Sequence, residues 1–350
     1  MNDFIRESWY AALWSQDLAD EPVARTYLGQ EIVLYRNTEG QPIALAGVCP
    51  HRFASLAKGK LQGDAIACPY HGLRFGPDGQ CVHNPNGPVP GAVRIRPYPL
   101  AERHGMIWIW MGDGAHDLAQ IPDVALMDDG QNYAWVQGTL KVSGNYQLVI
   151  DNLLDLTHVE FMHPFLNAAE PDGPLNYKAR QDEERVWALY DRAETPTPPL
   201  AKAIWAEAPD TVRLWAHIRW DAPSNLYLES GFTHVGQNDH AGADDAGERL
   251  VVPTYHLLTP ETRGSTHYFW SAGRNMLTDV EEVSLQVAQG IESTFLLEDE
   301  PMIADLQQRI GDCNMMDLNP LLLAIDNAAV RARRVIAKRL AAERALEKAQ

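Results

Sequence analysis

Cys49 and His51, followed after sixteen residues by Cys68 and His71, make a C-x-H, C-x2-H pattern in which each short segment offers one thiolate and one imidazole. Two cysteines can hold one iron and two histidines another, which is the ligand arithmetic of a mixed-ligand [2Fe-2S] cluster. Neutral imidazole in place of thiolate raises the reduction potential well above that of an all-cysteine cluster, so such a centre accepts electrons readily and passes them on. The same four residues also satisfy tetrahedral zinc. Zinc fingers, however, usually group cysteines with cysteines and histidines with histidines, and here the pairs are mixed. Pro50 and Pro69 follow the cysteines, and Arg52 and Gly72 follow the histidines, as in two tight loops closing over a cluster. The order favours iron and sulfide, although spacing alone leaves zinc open.

A second set of candidate ligands lies in Asp151 to Pro164. Apolar residues from Leu148 to Met162 surround most of a helical wheel, so a helix over about Tyr146 to Met162 is expected to be buried on several sides. Asp151, Asp155 and His158 nevertheless share one face, where ionisable groups are costly unless paired or bound to metal. His158 and His163 are five apart, which on a straight helix separates them by about 140°. Convergence needs the helix to end or deform, and Pro164 disfavours α geometry at the residue before it. Two histidines and one carboxylate would form a facial triad for non-haem Fe(II), with positions open for O2. A bare H-x4-H pair is equally compatible with ordinary core or surface histidines. It gains weight here because a centre that delivers single electrons precedes it. The carboxylate is expected from the helix containing Phe295 to Ile303, where Asp299 falls on an inward stripe with Leu296 and Ile303. Glu298 and Glu300 flank that stripe and are more easily solvated, and Pro301 would kink the helix. The plain alternative for Asp299 is one more acid on an acidic helix.

The elements that must position these residues fall into two parts. From about Trp9 to Gly112 short apolar or alternating runs are separated by turn signals such as Asn37-Thr38-Glu39-Gly40 and Pro77-Asp78-Gly79, the signature of a small antiparallel β domain with the two loops at its tips. The domains are therefore set at 1–112 and 113–350. The second begins with a strand near Tyr133 to Val136 and the helix of Tyr146 to Met162. Strands follow over Arg213 to Trp220, Leu226 to Val235, Leu250 to Leu258 and Thr266 to Trp270, then helices over about Thr278 to Arg309 and Pro320 to Gln350. This is an α+β pattern in which a sheet curls around a helix. Asp239 to Glu248 reads as an exposed, mobile loop, and no internal repeat is present.

Composition fits an intracellular redox enzyme. The 350 residues suffice for two domains, and of the four cysteines Cys81 and Cys313 remain, read as small buried hydrophobes rather than a disulfide. Nothing at the N-terminus resembles a signal peptide and no apolar run approaches a membrane span, so a cytoplasmic protein is expected. The formal net charge of -18 argues against a nucleic-acid binder.

Along nearly the whole chain these motifs resemble the Rieske non-haem iron oxygenases, in the subgroup represented by the vanillate and dicamba O-demethylase oxygenase components. The stretches carrying the resemblance are Ile5 to Ala12, Cys49 to Phe53, Cys68 to Gly72, Gln80 to Pro85, Asp151 to His158, Leu258 to Thr262 and His267 to Trp270. The resemblance implies an N-terminal Rieske [2Fe-2S] domain and a helix-grip catalytic domain with a curved antiparallel sheet. It also implies a head-to-tail homotrimer in which Asp155 bridges His71 across the interface to His158, a role suited to a carboxylate that orients two imidazoles. Asn152, one turn earlier, would approach the same iron, or else cap or satisfy backbone groups. His256 matches a position where related demethylases present a substrate-contacting histidine, though a core histidine bonded to backbone fits as well.

No G-x-G-x-x-G follows a strand, so electrons from NADH or NADPH must arrive through a separate reductase, a ferredoxin, or both. Arg52, Lys58, Lys60 and Arg74 could meet such an acidic donor or only solvate their loops. The basic terminal helix, with Arg331, Arg333, Arg334, Lys338 and Arg339, reads as a solvated face packed by Leu340 and Leu346. Apolar and aromatic residues of the later strands suggest a pocket for a small aromatic acid. Arg213 or Arg219 could hold its carboxylate if that face of their strand turned inward, but a solvent-facing strand has the same pattern. The resulting expectation is mono-oxygenation of an aromatic acid, foremost O-demethylation of a methoxylated one such as vanillate. Hydroxylation of a ring or another alkyl group, and a non-catalytic Rieske electron-transfer protein, are the alternatives.

Overall fold

The computed structural model describes residues 3–89, 91–166, 175–237 and 248–349, arranged as two compact units. One comprises Asp3–Ile121 with Thr259–Thr262, the other Pro122–Leu258 with Arg263–Gln350. The first is built from short strands: β1 (Trp9–Trp14), β2 (Val23–Tyr27), β3 (Gln30–Arg36), β4 (Pro42–Ala46), β5 (Lys60–Gln62), β6 (Ala65–Ala67), β7 (Arg74–Phe75), β8 (Cys81–His83), β9 (Leu100–Arg103) and β10 (Met106–Trp110). They form three small sheets, ordered β1-β10-β9, β2-β3-β4 and β5-β6-β7-β8. Every residue of β1 and β10 is buried, which explains uninterrupted apolar runs where a half-exposed strand would alternate. The core under β3, β4 and β6 contains Val33, Tyr35, Leu45, Ile66 and Phe75, and Cys49 and Cys68 belong to it.

The second unit centres on a seven-stranded antiparallel sheet. Its strands are β11 (Ala134–Val142), β12 (Asn176–Asp182), β13 (Arg185–Pro196), β14 (Thr211–Asp221), β15 (Asn225–His234), β16 (Arg249–Thr262) and β17 (Ser265–Arg274), in the order β11-β17-β16-β15-β14-β13-β12. Among the described residues six α-helical segments accompany it: α1 (Tyr146–Leu154), α2 (Val159–Met162), α3 (Pro199–Ile204), α4 (Glu281–Thr294), α5 (Glu300–Ile310) and α6 (Asn327–Ala349). Helices α4 and α5 pack on β11, α6 packs on β12 and β13, and α1 lies against α5 and α6. The architecture is the expected α+β class. Strands β12 and β13 went unread, although Val186, Ala188, Tyr190 and Arg192 alternate as buried positions of β13. An arginine in the last of them interrupts the apolar pattern.

Other expectations need correction. The helix of Tyr146 to Met162 is not continuous: α1 stops at Leu154, and a 3-10 turn over Leu156–His158 precedes α2. Asp151 does not join His158 in a ligand cluster. Its carboxylate takes Nε and Nη2 of Arg333 at 2.9 and 2.5 Å, and Gln147 accepts from Nη1 of the same guanidinium. Arg333 is thus buried in α6 rather than solvated, and Ala328, Ala332, Val335 and Ile336 bury that helix while Leu346 is exposed. Cys81 is buried, but Cys313 lies exposed after the end of α5. The loop expected at Asp239 to Glu248 lies outside the described residues except for Glu248. Among the described residues no helix is long and apolar enough to cross a membrane.

Candidate metal centres and substrate cavity

The two cysteine–histidine segments fold into matching loops. Cys49 N–H donates to Ala54 O and Phe53 N–H to Cys49 O; in the other loop Cys68 N–H donates to Leu73 O and Gly72 N–H to Cys68 O. The fourth residue after each cysteine therefore closes the turn, and both adopt left-handed backbone, Phe53 at φ 59° and Gly72 at φ 72°. Gly72 also has a steric reason to lack a side chain, since a Cβ there would stand 3.1 Å from Pro85 Cγ.

The loops bring the two expected cysteines beside one another and the two expected histidines beside one another. Cys49 and Cys68 are buried, whereas His51 is exposed and its ring lies 4.6 Å from that of His71. Burial pushes the Cys49 thiol up; the main-chain N–H groups of His51 and Arg52 oppose this, and the neighbouring Cys68 thiol adds to it. Iron would take the place of those thiol protons. Among the described residues His71 Nδ1 is buried without a hydrogen-bond partner, an orphaned atom that metal ligation would satisfy. Paired buried sulfurs with imidazoles toward the surface suit a [2Fe-2S] cluster whose histidine side exchanges electrons.

The second centre depends on the interruption of the helix. Asp155 ends α1, and its carboxylate Oδ1 accepts from Thr157 N–H at 2.9 Å, capping the 3-10 turn. His158 follows on that turn and His163 ends α2 with φ −121° and ψ 74°, outside the α region that Pro164 disfavours. Their rings come within 5.1 Å, nearly perpendicular. The third member, Asp299, comes from a π-helical segment, Phe295–Asp299, inserted between α4 and α5 just before Pro301. Such insertions re-aim side chains and recur at functional sites. Asp299 Oδ1 lies 3.4 Å from His158 Nε2 and 3.3 Å from His163 Nε2, and one ligand atom from each residue falls within 4.8 Å of the others.

The supporting bonds decide which nitrogens are available. His158 Nδ1 meets the main-chain O of Asp155, so it is the carbonyl of Asp155, not its carboxylate, that touches His158. His163 Nδ1 bonds Glu298 Oε2 at 2.5 Å. Both Nδ1 atoms are engaged, and both Nε2 atoms face the carboxylate, an arrangement suited to Fe(II). Glu298, expected to be solvated, is instead the residue behind His163. These consecutive acids serve one centre by meeting different nitrogens of the His163 ring, which a single inward stripe could not anticipate. Asn152 Nδ2 donates to Asp299 Oδ1 at 2.9 Å, so its contact is with the carboxylate. Burial alone would raise the Asp299 carboxyl, but the bonds from His158 and His163 hold it well below the ordinary carboxylate range.

The triad opens onto a cavity of about 300 Å³. Ile218, Leu228, Phe232 and Val252 of the sheet and Val287 and Ile291 of α4 give it a largely apolar wall, the character of a small-molecule site. His256 lines the same cavity, buried, with Nδ1 2.6 Å from the Tyr268 hydroxyl rather than on the backbone. Burial lowers its pKa to about 4 against a weak opposing pull from Asp299, so it is neutral near pH 7. Arg213 and Arg219 do not enter the cavity. They bond Asp191 and Asp221, while Leu214, Ala216 and Ile218 of the same strand line it. Sequence reasoning missed Glu160 and Arg192, a buried ion pair in the cavity wall. Glu160, between the two histidines, offered no periodic signal.

Residues 142–342 match the Vanillate O-demethylase oxygenase C-terminal domain, and residues 8–99 match the Rieske [2Fe-2S] domain. The oxygenase component of a chloroacetanilide N-alkylformylase from Rhizorhabdus wittichii is 38% identical over 97% of this chain and 97% of its own length. The dicamba O-demethylase oxygenase component of Stenotrophomonas maltophilia is 34% identical, over 96% and 97%. A crystal structure of dicamba monooxygenase bound to 3,6-dichlorosalicylic acid superposes with a TM-score of 0.86 at 34% identity, covering 98% of this chain and 99% of that one.

Proposed function

Because the chain belongs to the Rieske non-haem iron oxygenases, as an oxygenase component served by a separate electron donor, we propose that it mono-oxygenates an alkyl carbon bound to a heteroatom of an aromatic substrate. O-demethylation of a methoxylated aromatic acid such as vanillate is the leading reaction. The observation that carries this reading is the apolar cavity ending on His158, His163 and Asp299, with His256 in its wall. Cys49, Cys68, His51 and His71 would hold the Rieske cluster, and the triad the mononuclear iron. When bound, the cluster supplies single electrons and the iron activates O2.

The protein's own residues place the reacting carbon. Aliphatic side chains orient the ring and exclude water, and His256 anchors a polar substituent away from the triad. With O2, two electrons and two protons, the methyl C–H becomes C–OH and the second oxygen leaves as water. The hemiacetal then loses formaldehyde to give a phenol without further help. Glu160 and Arg192 neutralise one another and His256 is uncharged, so the cavity also suits a neutral substrate. That favours, as a second reading, N-dealkylation of an anilide-like molecule.

The electron path proposed here uses a head-to-tail homotrimer in the cytoplasm, fed by an NADH- or NADPH-dependent reductase or ferredoxin. Asp155 touches His158 through its carbonyl and holds Thr157 through Oδ1, leaving carboxylate Oδ2 to meet a histidine, His71, of a neighbouring subunit. Asp155→Asn should keep both metals and lose turnover by about 10- to 100-fold, the scale seen when an outer partner of a metal ligand is removed; undiminished turnover would remove that path. Product analysis tests the reaction: formaldehyde equal to phenol, with 18O2 label in the hydroxymethyl intermediate, supports O-demethylation. A cis-diol, or consumption of methoxylated substrates without formaldehyde, overturns it.

A further inference from the structure

The polarity of the cavity's histidine is set by one neighbour. His256 on β16 and Tyr268 on β17 occupy adjacent strands, both line the cavity, and they are 8% and 3% exposed. His256 Nδ1 stands 2.6 Å from the Tyr268 hydroxyl, and His256 Nε2 is buried with no partner among the described residues.

Two proton arrangements satisfy that short contact. If Nδ1–H donated to the phenol oxygen, the phenol hydrogen would be left buried with no acceptor, because among the described residues His256 is the hydroxyl's hydrogen-bond partner. If the phenol donates to Nδ1, nothing is stranded on that side, and the ring proton resides on Nε2. The second arrangement is favoured. It leaves a neutral N–H donor with no partner at the cavity wall. Phe295 packs edge-on against the Tyr268 ring at 4.8 Å and restricts it from turning away.

We propose that Tyr268 is a specificity-determining residue: by donating to Nδ1 it fixes His256 as an Nε2–H donor, so the cavity takes aromatic molecules carrying an oxygen acceptor of the carbonyl, carboxylate or ether class at that point. Molecules presenting only an N–H donor there leave two donors facing each other. This rests on the reading of the cavity as the substrate site and narrows it. The donor is uncharged, so it serves neutral acceptors and carboxylates alike, with burial keeping His256 unprotonated near neutral pH.

The test uses the intact holoenzyme and two probe sets of matched size: methoxybenzoates and their methyl esters as acceptors, methoxyanilines as donors, whose nitrogen lone pair is delocalised into the ring. Dissociation constants come from quenching of tryptophan fluorescence. The wild type should bind the acceptor set at least about tenfold more tightly, the usual discrimination of a site left with an unpaired polar group. Tyr268→Phe frees the histidine to move its proton to Nδ1, so this ratio should fall toward one, while iron content, sulfide content and the cluster spectrum stay unchanged. An unchanged ratio in Tyr268→Phe overturns the role of Tyr268. A wild-type ratio near one overturns the proposal without any variant, including the case where Tyr268→Phe does not fold. Failure of every probe to bind the wild type would overturn the substrate-site reading, and this proposal with it.

Discussion

The cysteine–histidine loops and the histidine–carboxylate triad reach similar ends by opposite routes. The loops hold their four candidate ligands in one stretch, Cys49 to His71, on two turns of nearly identical hydrogen bonding that are anchored in the core of a small β unit. The triad joins a broken helix to a residue far along the chain, on a π-helical segment, and each histidine is backed by a different group. A centre on local turns is formed wherever the turns form. One assembled from distant elements exists only when the whole unit is packed, and its geometry is adjustable through the residues behind the ligands.

The largest expected effect tests whether the two centres load independently. Cys68→Ser should lose the cluster colour, its sulfide and about two of three irons per chain, with no turnover, while the iron at the triad is retained. Asp299→Ala should do the reverse: the sulfide and visible spectrum stay, one iron is lost, and turnover again vanishes. Metal and sulfide analysis with absorption spectra decides the matter. A single substitution that emptied both centres would break the distinction between a local and an assembled site.

This difference in construction also governed what the residues revealed before folding. Cys49, His51, Cys68 and His71 were legible because type, order and spacing all lie in one short segment. His158, His163 and Asp299 were legible as residue types, and Pro164 correctly signalled non-helical geometry at His163. The break itself comes at Asp155, where a side-chain cap on Thr157 competes with the helix, and that competition is invisible to hydrophobic periodicity. Glu298 was not readable as a partner, since an α-helical wheel turns it away from Asp299 by about 100°, whereas the two acids meet different nitrogens of the His163 ring. Arg333 was misread for a related reason. A basic helix looks solvated until its partner, Asp151, is known.

A smaller effect sharpens the comparison within the triad. Glu298 donates no atom to the proposed iron but holds His163 through Nδ1, where His158 has only a main-chain carbonyl. Glu298→Gln keeps a hydrogen-bond acceptor but not the charge, and Glu298→Ala keeps neither. Removing such a partner typically weakens metal binding about 10- to 100-fold. Equilibrium dialysis with Co(II) should therefore show weaker binding in Glu298→Ala than in Glu298→Gln, and both weaker than wild type, with the cluster spectrum unaltered. Equal affinity in all three would reduce Glu298 to a bystander.

The smallest effect concerns stability rather than turnover and separates the two units by their response to acid. Burial lowers His256 to about 4 from the ordinary 6.5. Between those pH values the unfolded chain binds a proton that the folded chain refuses, so the unfolded state gains as pH falls. The histidine's contribution is therefore complete above pH 6.5 and is lost as pH drops toward 4, a change of roughly 3 kcal/mol over that interval. His256→Asn removes the titrating group, so its catalytic unit should lose less stability on acidification than the wild type does. Urea unfolding at pH 7.5, 6 and 5 follows visible absorbance, which reports the cluster loops, and tryptophan fluorescence, to which the unit of His256 contributes six of the ten tryptophans. The substitution should flatten the acid dependence of the fluorescence transition and leave that of the visible transition alone, because His256 belongs to the unit that does not carry Cys49 and Cys68. Identical acid slopes in wild type and His256→Asn would mean that the histidine is protonated in the folded state and does not serve as a neutral donor.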